Sequence, residues 1–501
     1  MILNDFLKEN RKYFNQNFNI NSDEIILFES FYPTRNLIYG ITKVGLTLSS
    51  ILNLKPICIL PPSKKNHNFI KSICKNTIDS RFQIIKSILK NLIFLFITFC
   101  GINKKKLLSL TINGNRIGEH IYDSILIRHK IITLEKISLK FRLNIVIEIA
   151  FYFFFRQLFL NYNIKYLVIG DNTYRHGLLL MLTKEFNVNC ISPVSLNSFQ
   201  LSKYTCVNDY NEHCLSISSE FLLKIKNKKE AISISNNYFQ KRYLGLINQH
   251  DVLNAFKGKK SKNKQNFITD YNLDPNKKTV AIMPHIFCDA PHAYPHTLYS
   301  DYYDWFINTA KILLENNHIN VIVKEHPSAN LYNEQGKLKE ILHDHNLNLI
   351  LINSSENTHS ILQIADVVVT CGGTVGLEFS CAGKPVILAA NPPYSNLGFT
   401  YDNLTIQEYT DKLLTCHLLP RLTEIQTDNA LLTAFLTYCN NDIDISRLEI
   451  GSETVLLGKN YDEKKLFNDI NRYQKINIKK QYIYNYLDSF IKRPNRLGLK
   501  F

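Results

Sequence analysis

Thr374 and Glu378 stand four residues apart in the segment Ala365 to Tyr394, ADVVVTCGGTVGLEFSCAGKPVILAANPPY, just after the glycine pair Gly372-Gly373. A helix opening at Gly373-Thr374 places both side chains on one face. Its first N–H groups and the positive end of its dipole then face an anion. Thr374 could hold a phosphate through its hydroxyl while Glu378 accepts hydrogen bonds from ribose hydroxyls. A plain packing turn is the other reading of the two glycines.

Two further segments carry ionisable groups beyond apolar runs. The first is Glu325-His326-Pro327, which follows Asn320 to Lys324. A histidine there can donate to a phosphate oxygen and neutralise leaving-group charge, with Pro327 stopping the strand. A capping histidine in a loop is the plainer alternative. The second is Pro284 to His292, PHIFCDAPH, where His285 and His292 could contact the same anionic ligand and Asp289 could position or deprotonate a hydroxyl. Asp289 could equally cap a turn shaped by Pro291. These residues sit on an expected loop without metal-ligand spacing, so no metal is expected.

In the first half of the chain, Glu29 closes a strand in ILFESFYPTRN and Asp171 closes one in VIGDNTYRHG. A general base has to lie near the hydroxyl that it activates, and these are the acidic groups at strand ends in that half. Arg175 and His176 could bind an anion. Asp171 could also be only the N-cap of the following helix.

The elements that must position these residues alternate between strand and helix, which gives a parallel sheet covered by helices. Strands are expected at Glu24 to Phe28, Pro56 to Leu60, Tyr166 to Ile169 and Val188 to Ser192, with helices at Leu37 to Leu52 and Tyr174 to Phe186. The alternation restarts with strands at Thr279 to Met283, Asn320 to Lys324, Leu349 to Ile352, Asp366 to Thr370 and Val386 to Ala390. Helices are expected there at Tyr302 to Leu314, His359 to Ile364 and Thr374 to Ala382, the last closed by Gly383. The basic stretch KGKKSKNKQN reads as a linker. The expected fold class is α/β, with two Rossmann-like domains facing a cleft. The division is 1–256 for an N-terminal acceptor-side domain, 257–268 for the linker and 269–457 for a C-terminal nucleotide-binding domain. Residues 458–501 are expected to be helical and to pack back on the first domain.

Composition narrows the function class. The 501 residues are 45% hydrophobic and 20% charged, an ordinary globular balance, and too many for one core. The formal charge of +16 favours an anionic partner: nucleic acid, an acidic membrane face or a phosphorylated substrate. No helix-turn-helix, zinc or RNA-binding signature accompanies it, so no nucleic acid is expected. Eleven scattered cysteines without a C-x-x-C pair indicate neither a disulfide framework nor a zinc site, which fits a reducing cytoplasm. The first residues, MILNDFLKENRKYF, lack an apolar signal core. Leu92 to Cys100 is too short to span a bilayer, and Ile145 to Leu160 is interrupted by Glu148 and Arg156, so both read as buried core helices.

Taken together, PHIFCDAPH, DYYDWF (Asp301 to Phe306), VKEHPSA (Val323 to Ala329) and GGTVGLEFSCAGKPVI resemble the bacterial capsule and surface polysaccharide biosynthesis proteins. The resemblance covers roughly Thr279 to Thr400 and implies a glycosyltransferase of the two-domain GT-B type. The His-Pro and the small-residue turn are also similar to motifs of bacterial sialyltransferases and Kdo transferases, which use CMP-activated sugars. Those families carry paired serines where this chain has Gly373-Thr374, so the nucleotide stays open.

The resemblance places the donor phosphate on His326 and Thr374. The donor side then comprises His285, His292, Lys324, His326, Pro327, Gly372, Gly373, Thr374 and Glu378, and the candidate bases are Asp289, Glu29 and Asp171. Neither a metal nor another cofactor is implied. The expected partners are a nucleotide sugar, CMP-linked among the candidates, and a glycan or lipid-linked glycan acceptor, with an anionic membrane surface a further candidate. Such an enzyme would be cytoplasmic, or peripheral at the inner face of the cytoplasmic membrane. A polyol-phosphate transferase, a nucleotide-sugar epimerase and a non-catalytic polysaccharide assembly protein are the alternatives.

Overall fold

A computed structural model of the chain describes residues 3–193, 201–204, 216–247, 250–259, 261–402, 405–440 and 463–493. The chain forms two compact units. The first draws on residues 1–122, 137–210 and 442–500, and the second on 123–136 and 211–441.

The first unit contains strands β1 (Glu24–Glu29), β2 (Lys55–Leu60), β3 (Thr77–Asp79), the short hairpin β4 (Thr111–Ile112) and β5 (Asn115–Arg116), then β6 (Asn163–Val168), β7 (Asn189–Ser192) and β8 (Ser202–Tyr204). Its sheet runs in the order β3-β2-β1-β6-β7-β8. All pairings are parallel except β7 with β8. The helices of this half are α1 (Leu3–Asn17), α2 (Arg35–Leu52), α3 (His67–Ile73), α4 (Ser80–Lys90), α5 (Leu92–Gly101), α6 (Lys104–Leu108), α7 (Gly118–His129), α8 (Leu139–Asn161) and α9 (Tyr174–Phe186). From Asp123 onward, α7 groups with the second unit.

The second unit begins with α10 (Ser219–Leu223), α11 (Lys228–Tyr243), α12 (His250–Ala255) and α13 (Lys264–Asp270). Its strands are β9 (Lys278–Ile282), β10 (Ile319–Lys324), β11 (Ile350–Ile352), β12 (Val367–Thr370), β13 (Val386–Leu388) and β14 (Tyr401–Asp402). The order is β11-β10-β9-β12-β13-β14, all parallel. Between and after them run α14 (Tyr302–Leu314), α15 (Lys337–Asp344), α16 (Thr358–Ile364), α17 (Thr374–Cys381), α18 (Ile406–Leu414) and α19 (Glu424–Ala434). Counted within each sheet, both units have the strand order 3-2-1-4-5-6, the doubly wound Rossmann arrangement, so the expected α/β class with two Rossmann-like domains is observed.

The β-branched runs are buried on both faces, as a helix-covered parallel sheet requires. Val280, Ile282, Val323, Val369 and Ile387 pack with Trp305, Phe306 and Tyr409 in one core. Phe28, Val44, Leu60 and Phe69 pack with Phe6 and Phe14 in the other. The terminal helices α20 (Glu463–Gln474) and α21 (Tyr482–Ile491) contribute Leu466, Ile470, Leu487 and Phe490 to that first core.

Three expectations need correction. Residues 211–256 group with the second unit and not the first, because α11 packs on α19 and Ile217 N–H bonds to the Pro393 carbonyl. The basic stretch 257–268 is therefore no linker between units. Lys259 and Lys262 tie it to the Ser354 carbonyl and to Glu356, and α13 starts inside it. The third is α5, of which Leu95 is the buried residue, so Leu92 to Cys100 is not a core helix. By contrast α8 does bury Ile145, Ile149, Tyr152 and Phe155. The expected boundary at 457 lies outside the described residues.

Candidate functional site

Strand β12 ends in Thr370, and the turn Cys371-Gly372-Gly373 delivers the chain into α17. Gly372 is required by close approach, since a Cβ there would meet the Tyr294 ring at 2.7 Å. The helix is closed as expected by Gly383 at φ 73°. Its N–H bonds to the Ser380 carbonyl at 2.9 Å, and Lys384 N–H reaches the Phe379 carbonyl at 3.0 Å. This pair of bonds is a Schellman cap.

The amides of the turn are not all turned outward. Gly372 N–H donates to His285 Nε2 at 3.1 Å, and Gly373 N–H to Thr370 Oγ1 at 3.4 Å. The sequence reading of Gly372 to Thr374 as a run of phosphate-binding amides therefore holds at most from Thr374 onward. There the first turn of α17 leaves N–H groups without intrahelical partners. His285 itself stacks on Tyr302, 4.2 Å between centroids and 10° between planes. Burial, and then the charge of His326, push its pKa down to about 3, so it is neutral and its Nε2 is the acceptor.

Strand β10 delivers Lys324 and, beyond it, Glu325-His326-Pro327. Lys324 is buried and donates from Nζ to Thr358 Oγ1 at 3.0 Å. Burial pushes its pKa down to about 7, assisted by Lys259 and opposed by Glu356. His326 Nδ1 accepts the Ser328 N–H at 3.2 Å, which leaves the ring proton on Nε2 in the neutral form. Asn254 of α12 braces the same loop by donating to Ser328 Oγ at 3.1 Å.

These groups line one pocket of about 650 Å³, its open mouth included, at the C-terminal ends of β9, β10 and β12. Its walls include His285, Lys324, His326, Pro327, Gly373, Thr374 and Glu378, together with Arg242 and Phe256. The carboxyl edge of a parallel sheet is where doubly wound folds bind ligands.

Arg242 is the member that sequence reasoning missed. It lies on α11, and its Nε and Nη2 reach Glu378 Oε1 at 3.1 and 2.7 Å, with both side chains buried. Glu378, assigned to ribose from its spacing, is thus engaged by a guanidinium, and its charge is already matched. No local signal could reveal this, because the partners are 136 residues apart.

The other candidates are placed elsewhere. The His292 backbone N–H donates to Asp123 Oδ2 at 3.2 Å, its Nδ1 lies 2.7 Å from Asp123 Oδ1, and it does not line the pocket. Asp289 is half-buried in the same loop, whose Phe287 and Cys288 amides donate to Glu334 at 2.8 Å each.

Glu29 and Asp171 belong to the first unit. Glu29 is fully buried, accepting the Phe31 N–H at 2.7 Å and the Gly170 N–H at 3.0 Å, with His176 Nδ1 at 3.1 Å. Burial pushes its pKa up, but His176 and the two amides outweigh burial and the pKa falls. A carboxylate held in this way is a structural anion and a poor base. Asp171 Oδ1 accepts the Thr173 N–H and hydroxyl at 2.9 and 2.7 Å, an Asx turn. Arg175 is bound by both oxygens of Glu148, at 3.0 and 2.6 Å, so neither it nor His176 is the open anion site that the sequence suggested. Among the described residues, no group of three His, Cys, Asp or Glu side chains is placed to hold a metal ion.

Residues 244–434 match the family described as capsule polysaccharide biosynthesis protein, which agrees with the resemblance drawn from the motifs. No curated protein matches the chain in sequence. Among solved structures it is similar to the KpsC beta Kdo 2,4 transferase of Thermosulfurimonas dismutans, at 14% identity and a TM-score of 0.32, over 56% of this chain and 85% of that one. A glycosyltransferase from Rickettsia africae ESF-5 is similar at 11% identity and a TM-score of 0.25, over 90% and 100% of the two chains. The UDP-GlcNAc 2-epimerase of Neisseria meningitidis follows at 10% and 0.24, over 82% and 95%.

Proposed function

We propose, from the premise that residues 244–434 carry the sequence of the capsule polysaccharide biosynthesis proteins, that this chain is a glycosyltransferase. It moves a sugar from a nucleotide-activated donor to a growing capsule or surface polysaccharide. The observation that carries the reading is the convergence of Lys324, His326 and Thr374 in one pocket at the carboxyl edge of the second sheet.

In this reading the donor's phosphate lies between His326, Lys324 and the first turn of α17. The acceptor oxygen forms a bond to the anomeric carbon as the bond from that carbon to the phosphate oxygen breaks, and the electron pair departs onto the phosphate. His326 Nε2–H, the Lys324 ammonium and the α17 dipole stabilise that charge, so no metal is required. Arg242 and Glu378 fix the wall of the pocket beside it. The acceptor proton goes to a carboxylate in an inverting transfer; of the three candidates Asp289 alone belongs to the pocket's unit, though it does not line the pocket, and the base stays unassigned.

The nucleotide is identified by thermal shift with CMP, UDP, GDP and CDP, since a ligand that binds the folded state raises the unfolding temperature. CMP is the first to test, on the His326-Pro327 resemblance. The matching nucleotide sugar should release its nucleotide only when a glycan acceptor is present. Donor consumption without acceptor, or no stabilisation by any of the four, would sink the reading.

A further inference from the structure

The first unit carries an apolar face that its own fold leaves uncovered. On α4, Phe82, Ile85 and Leu89 lie at helical spacing and are exposed, Leu89 by 68%. On α5, Leu92, Ile93, Phe96 and Ile97 are exposed, Ile93 by 79% and Phe96 by 65%. The start of α8 adds Leu139, Leu143 and Ile147, four residues apart on one stripe.

These three helices are packed together. Phe94 of α5 meets Phe153 of α8 edge-on at 5.8 Å, and Arg142 of α8 donates to the carbonyls of Phe99 and Cys100. A contiguous apolar surface of this kind marks an interaction site.

Charge selects the occupant. Residues 80–106 contain Arg81, Lys86, Lys90, Lys104, Lys105 and Lys106 and not one Asp or Glu. Lys86, Lys90, Lys105 and Lys106 are exposed, as is Lys140 on α8. A single-sign basic rim around an apolar centre complements anionic headgroups above acyl chains.

At the C-terminal end of α5 the polar groups are engaged. The Thr98 hydroxyl donates to the Phe94 carbonyl at 2.9 Å, and Arg142 caps the carbonyls at the end of the helix. A helix entering an apolar medium needs this, because no water is there to take up orphaned groups. With ten residues, α5 is about 15 Å long and cannot cross a hydrocarbon core of about 30 Å. The 82° bend between α4 and α5 suits entry into one leaflet and return.

We propose that α4, α5 and the start of α8 form a monotopic anchor that inserts into one leaflet of an anionic bilayer. The proposal is independent of the glycosyl-transfer reading.

The test is flotation of the purified full chain with phosphatidylcholine vesicles, with and without phosphatidylglycerol. The wild-type chain should float with the anionic vesicles. Ile93→Asp with Phe96→Asp should reduce this by roughly tenfold or more, and Lys86→Glu with Lys90→Glu should remove the preference for anionic lipid. All four side chains are exposed, so thermal unfolding should be unchanged. A Phe96→Trp variant should show added fluorescence that lipids brominated in the acyl chains quench. Absence of flotation, or flotation indifferent to the Ile93 and Phe96 substitutions, overturns the proposal. So does a dimer in solution that those substitutions split, which would make the face a contact between two copies.

Discussion

The Arg242 guanidinium closes on a single oxygen of Glu378 through two nitrogens, at 3.1 and 2.7 Å, and ties α11 to the helix that follows the Cys371-Gly372-Gly373 turn. A buried pair of this kind is costly to break from one side, because the remaining charge loses its partner and cannot reach water. Glu378→Ala should lower unfolding stability by about 3–5 kcal/mol in a denaturant titration. The double change Arg242→Met with Glu378→Leu should cost less than the sum of the singles. Additive losses would show that the pair is not coupled.

Lys324 sets the pH response of the pocket. Its folded pKa of about 7 lies below its ordinary 10.5, so between these values the unfolded chain binds more protons and stability rises with pH. Below about pH 7 the ammonium is charged in both states and the slope vanishes. A bound phosphate favours the charged form. Affinity for the nucleotide should thus be flat below about pH 7 and fall above it, by at most about tenfold per unit. Calorimetry across pH checks this, and Lys324→Met should give a flat profile.

Gly372 leaves no room for a side chain. Gly372→Ala should cost about 1–3 kcal/mol, as overpacking does, because the new methyl meets the Tyr294 ring. Combining it with Tyr294→Leu should recover part of the loss in the same thermal melts. No recovery would place the strain in the turn itself.

His326 is expected to act on the departing phosphate. His326→Ala should leave the melting temperature nearly unchanged and reduce kcat by about 10²–10³, the scale for removing one donor to a developing anion. A change in KM alone would mean that the ring binds the donor without assisting its departure.

What the sequence revealed was what is local. The boundaries of α9 and α14 fall where periodicity and capping put them, Tyr174 to Phe186 and Tyr302 to Leu314. The Gly383 stop and the strands delivering His326 and Thr374 were legible for the same reason. Contacts across long separations were not. Arg242 is an unremarkable helical residue until α11 packs near Glu378, and Glu334 shows no sign of holding the Phe287 and Cys288 amides. Strand ends alone also suggested Glu29 and Asp171 as bases, whereas the N–H groups around them had already claimed both carboxylates. Hydrophobicity likewise identified α5 as a helix but not which side of it the fold would cover.

The terminal helices α20 and α21 impose an order on synthesis. The first unit's core contains Leu466, Leu487 and Phe490, and the buried Lys43 ammonium donates to Gln481 at 2.6 Å. On the ribosome, the opening strands and helices therefore emerge long before the segment that seals them. The second unit, most of it one continuous stretch, is complete sooner. The nascent chain has to shelter an unsealed apolar core until α20 and α21 are made, which makes the first unit the place where chaperones and proteases have most time to act.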